Sequence, residues 1–149
     1  MYNLLKFIHV VSAIAWFGGI IMLFLLNNRF ARAGNQDLVK ALGQQGAALS
    51  MTFFMPAAIV ALVTGIAMVM VGRLDFGATW ISWGFLGFIL SMIIGGVLTG
   101  GTARRLAKAV QAGSATQEDI ARAQKRINLY VRLNLLVLLS VVWAMVAKP

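Results

Sequence analysis

Residues 4–26 decide the fold, and they read LLKFIHVVSAIAWFGGIIMLFLL. The stretch carries one cation, Lys6, near its start and the only histidine of the chain, His9. A helix that crosses the hydrocarbon core of a bilayer needs about 20 mostly apolar residues. The segment closes with Asn27, Asn28 and Arg29 and has no small-residue cleavage site there. We therefore expect a retained membrane span and not a signal peptide.

The composition extends this interpretation to the whole chain. Of the 149 residues, 60% are hydrophobic and 11% are charged, whereas a soluble domain carries about 25% charged residues. Three further apolar segments, residues 49–71, 80–101 and 129–147, are long enough to cross a membrane. We predict an all-α polytopic membrane protein. Its single domain, residues 1–149, is expected to form an antiparallel four-helix transmembrane bundle.

The positive charge is concentrated in two of the loops. The net charge is +9, and the cations lie at the ends of apolar segments, which favours membrane topology over nucleic-acid binding. The first loop carries Arg29, Arg32 and Lys40 against Asp37. The third loop carries the largest set, which is Arg104, Arg105, Lys108, Arg122, Lys125 and Arg126. Because loops rich in Lys and Arg stay in the cytoplasm, we expect a bacterial inner-membrane protein with both termini outside.

The third loop also has helix signals of its own. Residues 102–113, TARRLAKAVQAG, continue the third span as a basic helix that stops at Gly113. The helix restarts after Thr116, and Asp119 stands at the third position of a capping box. We predict a short cytoplasmic helical hairpin between the third and fourth helices. Its basic face is expected to lie against anionic lipid headgroups, and a docking surface for a partner is the alternative.

Small residues favour close packing of the third span, because lipid gives no hydrophobic drive between helices. Ser91, Gly95 and Thr99 recur every four residues, and residues 96–100 form a GxxxG pattern beside them. The spacing is compatible with packing inside one bundle and with a homodimer. In the second span, Pro56 predicts a kink.

Few residues of the spans can carry chemistry. No Asp or Glu lies within any predicted span, and the chain has no cysteine. Carboxylate proton relays, Ser-His-Asp catalysis, thiolate metal sites and disulfides are therefore not expected. The sequence favours a protein without a soluble-type active site, and His9 is its candidate functional residue.

The helical rise of about 1.5 Å per residue sets the depth of possible partners for His9. Met68, Trp83 and Met145 fall at a similar level. Imidazole with thioether suits copper(I) or a haem iron, so His9, Met68 and Met145 are candidate haem or copper ligands. Trp16, on the helical face of His9, and Trp83 are candidate pocket walls.

Two other roles for His9 stay open at this point. The histidine could be a buried neutral side chain bonded to Ser12 or to a backbone carbonyl, or it could carry a proton. Because the chain has one histidine, a haem held by two histidines needs a second copy of the chain.

Three stretches resemble a bacterial family of four-helix integral membrane proteins of unknown function. These are LLKFIHVVSAIAWFGG (4–19), PAAIVALVTGIAM (56–68) and VVWAMVAKP (141–149). That family is distantly similar to the membrane domain of the copper-resistance protein CopD and to the HemJ type of protoporphyrinogen oxidase. The recognisable points are His9, Trp16, Gly19, Pro56, Gly65, Lys148 and Pro149.

The resemblance implies a role for the first-helix histidine. It associates His9 with haem in the HemJ type and with copper handling in the CopD type. This chain lacks the additional histidines of both, and residues 132–143 read RLNLLVLLSVVW where HemJ carries an acidic segment. We expect a small accessory or haem- or copper-associated membrane module. A HemJ-like haem-linked oxidoreductase and a copper(I) transport or delivery protein are the alternatives.

Overall fold

The computed structural model describes residues 1–148, apart from the side chains at positions 36, 37, 40 and 47. The first-loop charges Asp37 and Lys40 and the terminal Pro149 therefore lie outside the described residues. Two π-helical segments, Ser50–Phe54 and Ile93–Thr99, each join two α-helices into one long helix. The helices are α1 (Tyr2–Arg32), α2 (Gln36–Leu49), α3 (Met55–Val71), α4 (Thr79–Met92), α5 (Gly100–Gln111) and α6 (Gln117–Ala147).

The predicted all-helical membrane fold is confirmed. Four long helices are apolar enough to cross a membrane, and the described residues contain no strand. Large apolar side chains cover the outside, as at Phe7 with 65% exposure and Trp143 with 70%. Exposed apolar surface on this scale is expected where lipid is the solvent.

The chain divides into two compact units, Met1–Ser82 and Trp83–Pro149. In the first unit α1 and α3 run antiparallel. Tyr2 lies near Gly72, His9 near Gly65, and Gly19 against the ring of Phe54. A Cβ atom at Gly19 would collide with that ring, so glycine sets how closely the two helices approach.

In the second unit α4 packs against α6, and glycines again allow the close approach. A Cβ at Gly84 would collide with the methyl group of Met145, and one at Gly87 would collide with Val141. Ser91, one turn further along α4, is only 1% exposed. The small-residue face is therefore used within this unit. The homodimer stays a prediction.

Pro56 is the second residue after the first π-helical segment, which ends at Phe54. A proline in a regular α-helix removes one hydrogen bond, and its ring presses on the carbonyl four residues earlier. Here the Met55 N–H bonds to the carbonyl of Ser50, five residues back. The chain therefore makes a wider, π-helical turn just before the proline, and the kink at Pro56 stays a prediction.

The hairpin between α5 and α6 has the predicted ends. Gly113 adopts φ +66° after α5. The Ser114 N–H bonds to the carbonyl of Ala109, which closes a Schellman motif. At the start of α6, Thr116 and Asp119 form the capping box in both directions. Both features are local in sequence, and both predictions are confirmed.

Candidate functional site around His9

The imidazole of His9 bridges α1 and α3. Its Nδ1 atom lies 2.7 Å from the carbonyl oxygen of Ala61. A carbonyl oxygen only accepts hydrogen bonds, so Nδ1 is the nitrogen that carries hydrogen. In the neutral imidazole, Nε2 is then left with its lone pair. With Nδ1 protonated, the Nε2 atom of His9 can accept a hydrogen bond or bind a metal ion.

Thr64 adds a second polar group to this contact. The residue is 7% exposed, and its Oγ1 lies 3.4 Å from Nδ1 of His9. The same hydroxyl is placed to donate to its own helix, 2.6 Å from the carbonyl oxygen of Val60 and 3.1 Å from that of Ala61. A hydroxyl has one hydrogen to donate, and the shorter distance is to Val60, so the Thr64 oxygen can accept from Nδ1 of His9. Threonine and histidine are held as one group on the inner face of α3.

Gly65 lets the ring approach the backbone of α3. A Cβ atom placed there would lie 3.3 Å from Cε1 of His9 and 3.5 Å from Nδ1. Since the first distance is shorter than ordinary van der Waals contact, any larger residue must push the imidazole away. His9, Ala61, Thr64 and Gly65 together make the candidate site.

Two of the predicted partners lie in the same unit as His9 but further along the helices. Met68 is half-buried and follows Gly65 by one turn, about 4.5 Å along the axis. Trp16 is 8% exposed and lies two turns from His9 on α1, about 10 Å along the axis. The roles of Met68 as a ligand and of Trp16 as a pocket wall stay predictions.

The other two predicted partners belong to the second unit and have contacts there. The methyl group of Met145 packs on Gly84. The indole Nε1 of Trp83 lies 3.1 Å from the Ser140 hydroxyl, to which it donates. Trp83 is 40% exposed. The ligand role of Met145 and the pocket-wall role of Trp83 also stay predictions.

Sequence reasoning placed Thr64 and Gly65 at the depth of His9 but did not assign them as its partners. It offered Ser12 or a carbonyl as the partner, and the carbonyl is the one observed. The signal for Thr64 and Gly65 was available in their matching depth and in the pairing of a hydroxyl residue with a glycine. It did not identify the carbonyl of Ala61, because nothing in the Ala61 side chain marks its backbone as an acceptor.

A second polar feature lies in the other unit, where the sequence had singled out Ser91 only as a small residue for helix packing. Ser91 and Asn134 are 1% and 4% exposed. The Ser91 Oγ and Asn134 Oδ1 atoms have no hydrogen-bond partner among the described residues. Asn134 lies beside Gly95 of the second π-helical segment. A buried polar atom without a partner destabilises a membrane protein.

The donor set limits the metal chemistry that the chain can support. Across the described part of the chain, no group of three or more His, Cys, Asp or Glu residues could hold a metal ion. His9 can therefore supply one nitrogen ligand. Any further ligand must be a thioether, a group from another chain or a group on the bound molecule.

The chain belongs to a family described as predicted integral membrane proteins (DUF2269), whose family model matches residues 3–149. No curated protein and no solved structure matches the chain. The family establishes an integral membrane protein of unknown function. The similarity to the CopD and HemJ types is not shown by these comparisons.

Proposed function

We propose that this protein is an accessory membrane module that binds haem b through Nε2 of His9. The observation that carries the proposal is the 2.7 Å contact between Nδ1 of His9 and the carbonyl oxygen of Ala61. Histidines that ligate metals generally donate their other ring N–H to a carbonyl or carboxylate. That bond fixes the tautomer and orients the ring.

The surroundings of His9 support a ligand role over simple packing. The Thr64 hydroxyl lies beside Nδ1, and Gly65 allows the ring to sit close to the backbone. Both hydrogen-bond contacts of His9 in the described chain use Nδ1. These contacts restrain the Nδ1 side of the imidazole, and the lone pair of Nε2 can then bind a metal ion.

Haem fits the donor set better than copper(I). Copper(I) favours two or more soft ligands, and the nearest sulfur in this unit, Met68, lies one turn away from Gly65. Haem needs one axial imidazole from the chain and a large apolar surface around its ring. When bound, it would supply one-electron redox chemistry. A methionine, His9 of a second copy or an external molecule would complete the groups that hold it.

The site supports a module more than an enzyme. His9 is the only histidine of the chain, and the predicted spans contain no carboxylate. A HemJ-like oxidoreductase needs groups that move protons to and from its substrate, and the candidate site offers none besides His9. We place the protein in a bacterial inner membrane, as part of a homodimer or a larger complex that supplies the missing groups.

Absorption spectroscopy on the full chain tests the proposal. Protein purified gently from its native membrane should show a Soret band, and a pyridine haemochrome assay should give about one haem per one or two chains. In His9→Asn the amide can still donate to Ala61, but the Nε2 ligand is gone, so the band should disappear. Ser12→Ala, a polar change on the same helix, should keep it.

Two results would overturn the proposal. One is a colourless wild-type preparation that stays colourless when haem is supplied during expression. The other is a haem band that His9→Asn leaves unchanged. In a third variant, His9→Gly, added imidazole should restore the band, which separates loss of the ligand from loss of the fold.

Copper(I) is the second candidate because Ala61, Thr64 and Met68 share one face of α3 by helical spacing. A chain that transports or delivers copper(I) should retain stoichiometric copper by elemental analysis under reducing conditions. Met68→Leu and His9→Asn should both lose it, whereas Met70→Leu, two residues away and 67% exposed, should not. Equal retention in all variants would exclude this alternative.

A further inference from the structure

The second unit extends well beyond the thickness of a membrane. The helix Thr79–Gln111 has 33 residues and the helix Gln117–Ala147 has 31. At ~1.5 Å per residue these are about 50 Å and 46 Å long. The hydrocarbon core is about 30 Å thick and takes about 20 residues of each helix. Roughly a dozen residues of each helix are therefore left over.

The surplus lies at the hairpin end of the unit. At the opposite end the helices stay apolar to their last turns, with Trp143 and Val146 70% and 76% exposed. Counting about 20 residues from that end and adding a headgroup layer of about 5–7 Å gives the depth of each cation. Ala147 lies level with Ser82 in the register that sets Gly84 against Met145, so the count starts from these two residues. Arg104, Arg105, Lys125 and Arg126 then lie about 3–6 Å beyond the hydrocarbon core, within the headgroup layer.

These four residues form the hairpin cation cluster, and their side chains are exposed. The antiparallel register that sets Gly84 against Met145 and Gly95 against Asn134 sets Arg104 level with Lys125. Like charges level with each other on neighbouring helices repel. Within the described residues, the ion pair of the hairpin is between Arg122 and Glu118. An anion from outside the chain would relieve this repulsion.

We infer that the hairpin cation cluster binds the phosphate groups of an anionic phospholipid, and that a lipid with two phosphates, such as cardiolipin, fits best. The depth argues for lipid, because a nucleic acid or acidic protein would have to enter the headgroup layer to meet Lys125 and Arg126. Two phosphates match a cluster whose cations come from two helices. Arginine also presents a planar fork to phosphate oxygens.

This site is independent of His9 and of any cofactor. It would attach one end of the α4–α6 pair to the headgroup surface through particular lipids. Each cation near a membrane surface contributes roughly fivefold to binding of anionic lipid. Removing three of them should therefore weaken retention of cardiolipin by about a hundredfold, with little change for a neutral lipid.

The test uses the full chain in a neutral detergent and native mass spectrometry with added cardiolipin, phosphatidylglycerol or phosphatidylcholine. The wild type should bind cardiolipin more tightly than phosphatidylglycerol. The triple variant R104Q/R105Q/R126Q should lose cardiolipin. The matched control K6Q/R29Q/R32Q removes three cations from α1 and should retain cardiolipin within about threefold. Circular dichroism and size-exclusion chromatography report the fold of each variant.

Four results would overturn the inference. They are equal cardiolipin loss in both triple variants, no loss in either, full competition by millimolar inorganic phosphate, and tighter binding of a short RNA than of cardiolipin. If the triple variant does not fold, the single variants Arg104→Gln and Arg126→Gln replace it. Each should then bind cardiolipin roughly fivefold more weakly, and unchanged binding in both would contradict the site.

Discussion

The Nδ1 atom of His9 lies 2.7 Å from the carbonyl oxygen of Ala61, although the two residues are 52 positions apart in the chain. This contact joins α1 to α3 and fixes which ring nitrogen carries hydrogen. It also gives the histidine a structural role that is compatible with a ligand role.

The first prediction concerns the tautomer of His9. Because the chain has one histidine, uniform ¹⁵N-histidine labelling gives one imidazole and no assignment problem. We expect the neutral imidazole of the cofactor-free protein to be in the Nδ1–H form, since Nδ1 donates to the carbonyl of Ala61. Free histidine prefers the other tautomer, and a spectrum of that Nε2–H form would contradict the contact.

The second prediction concerns the space at Gly65. In Gly65→Ala the new Cβ would approach Cε1 of His9 to 3.3 Å, so the ring must shift. This shift of the ring offsets the roughly 0.5–1 kcal/mol that alanine contributes within a helix. We therefore expect Gly65→Ala to have a lower free energy of unfolding in detergent than Gly18→Ala. The ¹⁵N signal of His9 should move as well.

Gly18 provides the matched control on α1. No atom lies within 4 Å of a Cβ placed at this position. Alanine there should be neutral or stabilise the helix by about 0.5–1 kcal/mol. If Gly65→Ala behaved in the same way as Gly18→Ala, the close approach of His9 to α3 would be wrong.

The third prediction compares two serines of the second unit. The Ser91 hydroxyl is buried without a partner among the described residues, whereas Ser140 donates to the carbonyl of Val137 and accepts from Trp83. An unsatisfied buried polar group costs about 1–3 kcal/mol. Ser91→Ala should therefore raise the melting temperature in detergent, and Ser140→Ala should lower it. A loss of stability in Ser91→Ala would reveal a partner for that hydroxyl.

The fourth prediction concerns topology. We expect the turn at residues 112–116 to face the cytoplasm and Lys148 to face outside, because the cations flank that turn. Alkaline phosphatase should be active when fused after Lys148 and inactive when inserted in the turn, and a fluorescent reporter should show the opposite pattern. The reverse result would place the hairpin cation cluster on the outer surface.

The sequence predicted the membrane spans well because lipid solvation depends on local runs of apolar residues. Residues 4–26, 49–71, 80–101 and 129–147 all fall within the four long helices. It did not predict that helices continue through residues 50–54 and 93–99 in π-helical form. Helix propensity does not predict a backbone hydrogen bond to the fifth preceding residue. Such bonds depend on how the backbone accommodates Pro56 and on the packing around each helix.

The candidate site was only half predictable. His9 was identified from the sequence because it is the one imidazole in an apolar helix. Burying an ionisable group in a membrane costs free energy, so such groups generally mark functional sites. The depth estimate covered residues 64–68 and singled out Met68 among them, because side-chain chemistry suggested a sulfur ligand. The observed partner is a backbone carbonyl, and every residue carries one.

By itself, the sequence determined the four membrane helices, the cationic hairpin and the capping box formed by Thr116 and Asp119. Each of these features depends on residues that are neighbours in the chain. The tertiary structure alone decided that His9 meets Ala61 and Thr64. That choice follows from the register between α1 and α3, which Gly19 and Gly65 set by admitting the Phe54 and His9 rings. The space between a glycine and a facing ring exists only when the two helices pack together, so it cannot be read from either helix alone.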